Sequence, residues 1–145
     1  MKFIALRLLS MAAVLLLLNS CHLQRYTPAT FPGKQLTFGS GGGFTGQVTE
    51  YTLLENGQLF LNNTLTKEIK QVQRLGWKKR KWAFAEAEKL NLDQLSFNHP
   101  GNLYYFIQVK QGETSHRVTW GDPTAATPPQ LEEFYRQLLS KVTHS

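Results

Sequence analysis

Only one cysteine stands in the 145 residues, at Cys21. A lone thiol in an exported chain cannot form an internal disulfide, and left free it is a redox liability. Zinc is equally unsupported: His22, His99, His116 and His144 show neither H-x3-H nor H-E-x-x-H spacing, and no second cysteine completes a ligand set. Long apolar runs are also missing. The best, residues 8–18, is eleven residues interrupted by Ser10. As a helix it would cover only about 16 Å, roughly half of a hydrocarbon core. No G-x-S-x-G elbow surrounds Ser40, and no internal repeat is evident. These absences remove disulfide scaffolds, zinc enzymes, serine hydrolases of the elbow type and repeat arrays from consideration.

What the N-terminus does contain is the tripartite form of a secretory signal. Lys2 and Arg7 supply the positive region, the short apolar run follows, and Leu18-Asn19-Ser20-Cys21 closes it. That tetrapeptide looks like a bacterial lipobox, whose cysteine receives a diacylglycerol thioether before cleavage. The resemblance implies a signal peptide over residues 1–20 and a lipid-modified Cys21. Several acyl chains on one residue give stable membrane anchoring. Residue 22 is His and not Asp, so by resemblance to lipoprotein sorting rules the expected home is the outer membrane, facing the periplasm. Residues 21–33, with Pro28 and Pro32 and no apolar periodicity, read as a tether. Residues 34–145 then form one domain with one core.

Charge says little about nucleic acid. The chain carries 16 basic against 10 acidic residues. Without Lys2 and Arg7 the excess lies in the single run Lys78-Lys79-Arg80-Lys81, whereas a nucleic-acid reader spreads basic residues over a face. The run is expected on a solvated helix face, with anionic headgroups beside the anchor as the alternative.

Patterning predicts an α+β domain: an antiparallel sheet of about five strands, two hairpins among them, with two helices packed on one face. Strands are expected at residues 34–38, 47–55, 58–61, 103–110 and 114–120. Residues 39–46 read as a glycine-dense turn. Asn56-Gly57 is a strong hairpin signal suited to a type I′ turn. Residues 64–75 are ambiguous, because Ile69, Val72 and Leu75 recur every three positions, which suits a helix or an irregular edge strand. A helix is expected over residues 78–90 with Ala83, Phe84, Ala87 and Leu90 inward. The last helix is expected to start with Thr127 as N-cap, Pro128 at the first helical position and Gln130 completing a capping box. Leu131, Phe134, Leu138 and Val142 line its inner face.

Gly41-Gly42-Gly43-Phe44-Thr45-Gly46 formally matches G-x-G-x-x-G, but the residues after it alternate as a strand where the fingerprint must open a helix, so a dinucleotide site is rejected and no cofactor is expected. Residues 41–46 are expected at the tip of a β-turn, with Phe44 turned into the core as the favoured orientation and exposed as a contact anchor as the other. His116, on the face shared with Val118 and Trp120, reads as a satisfied, partly buried histidine. Asp122 before Pro123 reads as a turn cap in preference to a partner of His99. The aromatics Tyr104, Tyr105, Phe106 and Trp120 supply cross-strand pairs and, on one face, a possible binding stripe.

Taken in order, Gly42-Gly43-Phe44-Thr45-Gly46, a strand with Tyr51, a helix, Pro100-Gly101-Asn102 leading into Tyr104-Tyr105, and a closing helix with Pro128, Leu131 and Leu138 resemble a set of small uncharacterised bacterial lipoproteins. More distantly, the order is similar to that of the emfourin-like inhibitors of thermolysin-type proteases. The resemblance spans about residues 35–140 and implies a non-enzymatic binding module, with inhibition of a thermolysin-type metalloprotease as the alternative and a small-ligand carrier or an enzyme behind both. The expected partners are the membrane, through Cys21, and an envelope protein or peptide. The expected contacts are Gly42, Gly43, Phe44, Thr45, Tyr104 and Trp120.

Overall fold

A computed structural model describes residues 26–143. The expected signal peptide, Cys21 and its lipid lie outside the described residues. The chain builds an α+β domain with strands β1 (Gln35–Gly42), β2 (Val48–Leu54), β3 (Gln58–Asn63) and β4 (Glu68–Arg74), helix α1 (Trp77–Lys89), strands β5 (Leu103–Gln111) and β6 (Thr114–Trp120), and helix α2 (Pro129–Thr143). The six strands form one sheet in the order β4-β3-β2-β1-β5-β6, with every ladder antiparallel.

Six strands stand where about five were expected, and the addition is β4. Its residues are almost all exposed, so burial imposes no alternation on them. The ladder also shifts register opposite Leu59 and Phe60, which breaks the two-residue period at Val72. Strand β1 also runs further than expected, through Gly39 to Gly42. At Gly41 the missing side chain makes room: a Cβ there would lie 2.5 Å from the Tyr104 hydroxyl oxygen. Asn56-Gly57 does close a hairpin, but not as a type I′ turn. Gly57 N–H donates to the Leu54 carbonyl at 2.8 Å, and Gly57 has positive φ while Asn56 does not, giving a three-residue loop.

The alternation within each strand divides the sheet into two faces. Leu36 and Phe38 of β1, Leu53 of β2, Leu59 of β3, Ile107 of β5, and Val118 and Trp120 of β6 share one core with Ala83 and Ala87 of α1 and Leu131, Phe134, Tyr135 and Leu138 of α2. Both helices therefore serve one face. Lys78, Lys79 and Lys81 lie outward and exposed, as expected of the basic run, while Lys34 ties the start of β1 to Glu88 of α1. Helix α2 begins later than the sequence suggests. Pro129 takes the first helical position, where its missing N–H costs nothing, and the Pro128 carbonyl accepts from Leu131 N–H at 3.0 Å.

On the second face Leu54, Phe60 and Phe106 are also buried. The Arg117 guanidinium lies 3.6 Å from the centroid of the Phe106 ring. Residues 26–33, expected as part of the tether, are held at one end of the sheet. Gln35 Nε2 donates to the Pro28 and Phe31 carbonyls at 2.9 and 3.2 Å, and Gln58 Nε2 donates to the Tyr26 carbonyl at 3.4 Å.

Candidate binding surface

The end of the sheet opposite that strap carries the glycine-rich turn. Strand β1 ends at Gly42, paired with Leu103 at the start of β5, and Gly43 N–H donates to the Asn102 carbonyl at 2.8 Å. Gly46 N–H then donates to the Gly43 carbonyl at 3.2 Å, so the β-turn comprises residues 43–46 with Phe44 and Thr45 at its centre. Gly41 and Gly42 belong to the strand and not to the turn. The favoured sequence expectation for Phe44 is overturned: it is fully exposed, at 108 % of its reference area. A residue at the second position of an outward β-turn points away from the sheet that anchors it, and no sequence pattern distinguishes that case from a side chain folded inward.

Phe44 has apolar company. Leu103 is 59 % and Tyr105 39 % exposed, and a Cβ on Gly43 would sit 3.2 Å from Leu103 Cδ2. Leu103 and Tyr105 lie on the helix-covered face by register, just beyond where α2 stops covering it. There Tyr105, Trp120 and Tyr135 form a three-ring cluster, with centroids 5.3 to 6.0 Å apart. They floor a cleft of about 600 Å³ completed by Gly121, Asp122, Glu132 and Arg136. Sequence reasoning missed Leu103 and Tyr105 as contacts. The strand alternation placing Tyr105 opposite Trp120 was legible, but the end of helix cover was not.

The sequence-derived contact set divides. Gly42, Gly43, Phe44 and Thr45 lie together at the tip. Trp120 is 4 % exposed, so it supports the cleft from within and offers little surface of its own. Tyr104 stands on the opposite face from Trp120, half-buried across Gly41 and with its ring centroid 6.3 Å from that of Phe106. The two cannot touch one partner surface side by side.

Several polar groups around the sheet are engaged by the fold. Asp122 accepts from Thr124 N–H at 2.8 Å and from the Thr124 hydroxyl at 2.7 Å; those bonds hold its carboxyl below the usual carboxylate range. The turn-cap expectation thus holds. His116 Nε2 lies 2.9 Å from the Leu95 carbonyl, a satisfied and partly buried histidine as expected. Burial pushes the Tyr135 hydroxyl up to about 12, offset in part by its hydrogen bond with Ser40. Arg136 pairs with Glu133. Among the described residues no three His, Cys, Asp or Glu side chains gather as a metal would require, and no helix is long and apolar enough to cross a membrane.

No protein-family model matches the chain, and no curated protein is significantly similar to it.

Proposed function

We propose that this protein is a lipid-anchored, non-enzymatic binding module of the cell envelope. Acylated Cys21 holds it on the outer membrane facing the periplasm, and the tip of the sheet takes a protein or peptide partner. The observation that carries this reading is the full exposure of Phe44 beside Leu103 and Tyr105. A phenylalanine left wholly in water costs solubility and contributes nothing to the core. A cluster of exposed apolar side chains at a built turn is the usual mark of a contact. The neighbouring aromatic cleft gives a partner's apolar side chain a place to enter beside Phe44.

A photo-crosslinking amino acid at position 44, in the intact tethered protein within its own envelope, tests the contact. A discrete adduct is expected that is lost when Leu103 and Tyr105 are replaced by Ser. Labelling no stronger than from Glu113, on the exposed β5–β6 turn at the other end of the sheet, refutes the site. The anchor is tested separately by mass spectrometry of the N-terminal peptide, where an unmodified Cys21 thiol rules it out.

A further inference from the structure

We infer that a second surface, the corner where β4 runs into α1, lies against an anionic lipid bilayer. This inference rests on the proposed anchor at Cys21 only for bringing the domain to the membrane. Between Lys70 and Lys81, six of twelve residues are Lys or Arg and none is acidic. They come from two elements, yet the fold gathers them. A Cβ on Gly57 would lie 3.6 Å from Arg74 Cγ and 3.5 Å from Arg80 Cδ, so both arginines flank one backbone position. Among the described residues, Lys70, Lys78, Arg80 and Lys81 take no part in the ion pairs, which join Lys34 to Glu88, Lys89 to Glu86 and Arg136 to Glu133.

Apolar groups stand among these charges. Trp77 is 59 % and Val72 42 % exposed, and Lys81 Nζ lies 4.8 Å from the Trp77 ring centroid. An exposed indole framed by lysines suits the headgroup layer: the ring enters the boundary while the cations meet lipid phosphates.

The course of the chain explains why this corner and not another meets the bilayer. The Tyr26 carbonyl is held by Gln58 Nε2, and that same amide nitrogen donates to Gln71 Oε1 of β4 at 2.9 Å. Tyr26 therefore sits at the β3–β4 side of the sheet. Only four residues lie between it and Cys21, and the five Cα-to-Cα steps span at most about 18 Å when fully extended. An acyl group on Cys21 would thus tether this corner within reach of the bilayer, where a short approach brings it inside the Debye length of about 8–10 Å over which surface charge acts.

The test uses the mature protein reconstituted in vesicles of zwitterionic lipid alone or with added phosphatidylglycerol, both containing the same fraction of brominated zwitterionic lipid. Two readouts are taken: flotation with the vesicles, and the bromine quenching that Trp77→Phe removes. The expected result is flotation with both vesicle types and Trp77 quenching only with the anionic lipid, abolished by high salt. Replacing Lys78, Lys79 and Lys81 together with Gln should lower the equilibrium for laying this corner on the bilayer roughly a hundredfold, erasing the quenching while flotation persists. Flotation without Trp77 quenching, or with quenching indifferent to lipid charge, salt and the lysines, overturns the inference. Failure to float on zwitterionic vesicles, with salt-sensitive and lysine-dependent binding to anionic ones, overturns the anchor and leaves this surface standing. Binding to neither overturns both.

Discussion

Phe44→Ala separates a contact residue from a core residue in one pair of measurements. A buried phenylalanine cut to alanine costs about 3–5 kcal/mol, through lost transfer energy and the cavity left behind. Phe44 has no buried area to lose, since its exposure is 108 % of reference. The turn around it is held by backbone bonds, Gly43 N–H to the Asn102 carbonyl and Gly46 N–H to the Gly43 carbonyl, which the substitution leaves in place. The expected change is therefore within about 0.5 kcal/mol. In a thermal melt that is a Tm shift of less than about 3 °C, where the core case would give more than about 10 °C. Urea unfolding should show an unchanged slope. Against that flat stability, crosslinking from a neighbouring tip position such as Thr45 should fall markedly. A destabilisation above about 1.5 kcal/mol would mean that Phe44 packs on the domain and would refute the contact argument. Unchanged stability with unchanged crosslinking would refute the site while leaving the fold intact.

Leu138→Ala, at a position 2 % exposed within the core, should cost about 2–5 kcal/mol in urea unfolding; less than 0.5 would mean that α2 is not seated on the sheet as described. Gly121→Ala should be strongly destabilising, because a Cβ there would lie 2.2 Å from the Leu103 carbonyl oxygen at φ +144°; a melt unchanged from the parent would contradict that close approach. Tyr135 keeps its proton in the fold up to about pH 12 and loses it near 10.0 once unfolded, so between those values the folded state binds one more proton. Stability should fall as pH rises through that window, by up to about 1.4 kcal/mol per unit from this group. Tyr135→Phe should remove that part of the slope, and parallel pH profiles for the two proteins would count against a buried hydroxyl.

How far the sequence disclosed the fold depended on whether burial had shaped the local pattern. Strands β5 and β6 alternate because one face meets the helices, and Tyr105, Ile107, Val118 and Trp120 fall on that face as their spacing requires. Helix α2 shows its inner stripe for the same reason. Strand β4 does not, since an exposed edge strand with a register shift has nothing to select alternation. The glycines of β1 misled in another way: glycine reads as a turn by propensity, yet Gly41 is in the sheet because Tyr104 occupies the space over it. Of the contact surface, the glycine-rich tip was visible as a composition anomaly. The exposure of Leu103 and Tyr105 was not, because it depends on where α2 stops covering the sheet, a tertiary fact.

The two proposed surfaces occupy opposite ends of the same sheet, and this makes them separable. Strand β1 runs from Gln35, beside the Pro28 and Phe31 carbonyls, to Gly42 beside Leu103. Eight residues at about 3.3 Å each put the tip about 25 Å beyond the strap. The Trp77 corner lies at the strap end, because Leu75 N–H donates to the Gly57 carbonyl at 2.8 Å in the β2–β3 turn. A domain resting that corner on a bilayer would hold Phe44 clear of the headgroups and open to a partner in the aqueous space. Substitutions this far apart with no shared neighbours act independently. Phe44→Ala should therefore leave Trp77 quenching by anionic vesicles unchanged, and the Lys78/Lys79/Lys81→Gln variant should leave crosslinking from position 44 unchanged in its native envelope. If either set moves the other's readout, the two ends share one partner, and the division of labour between lipid and protein is wrong.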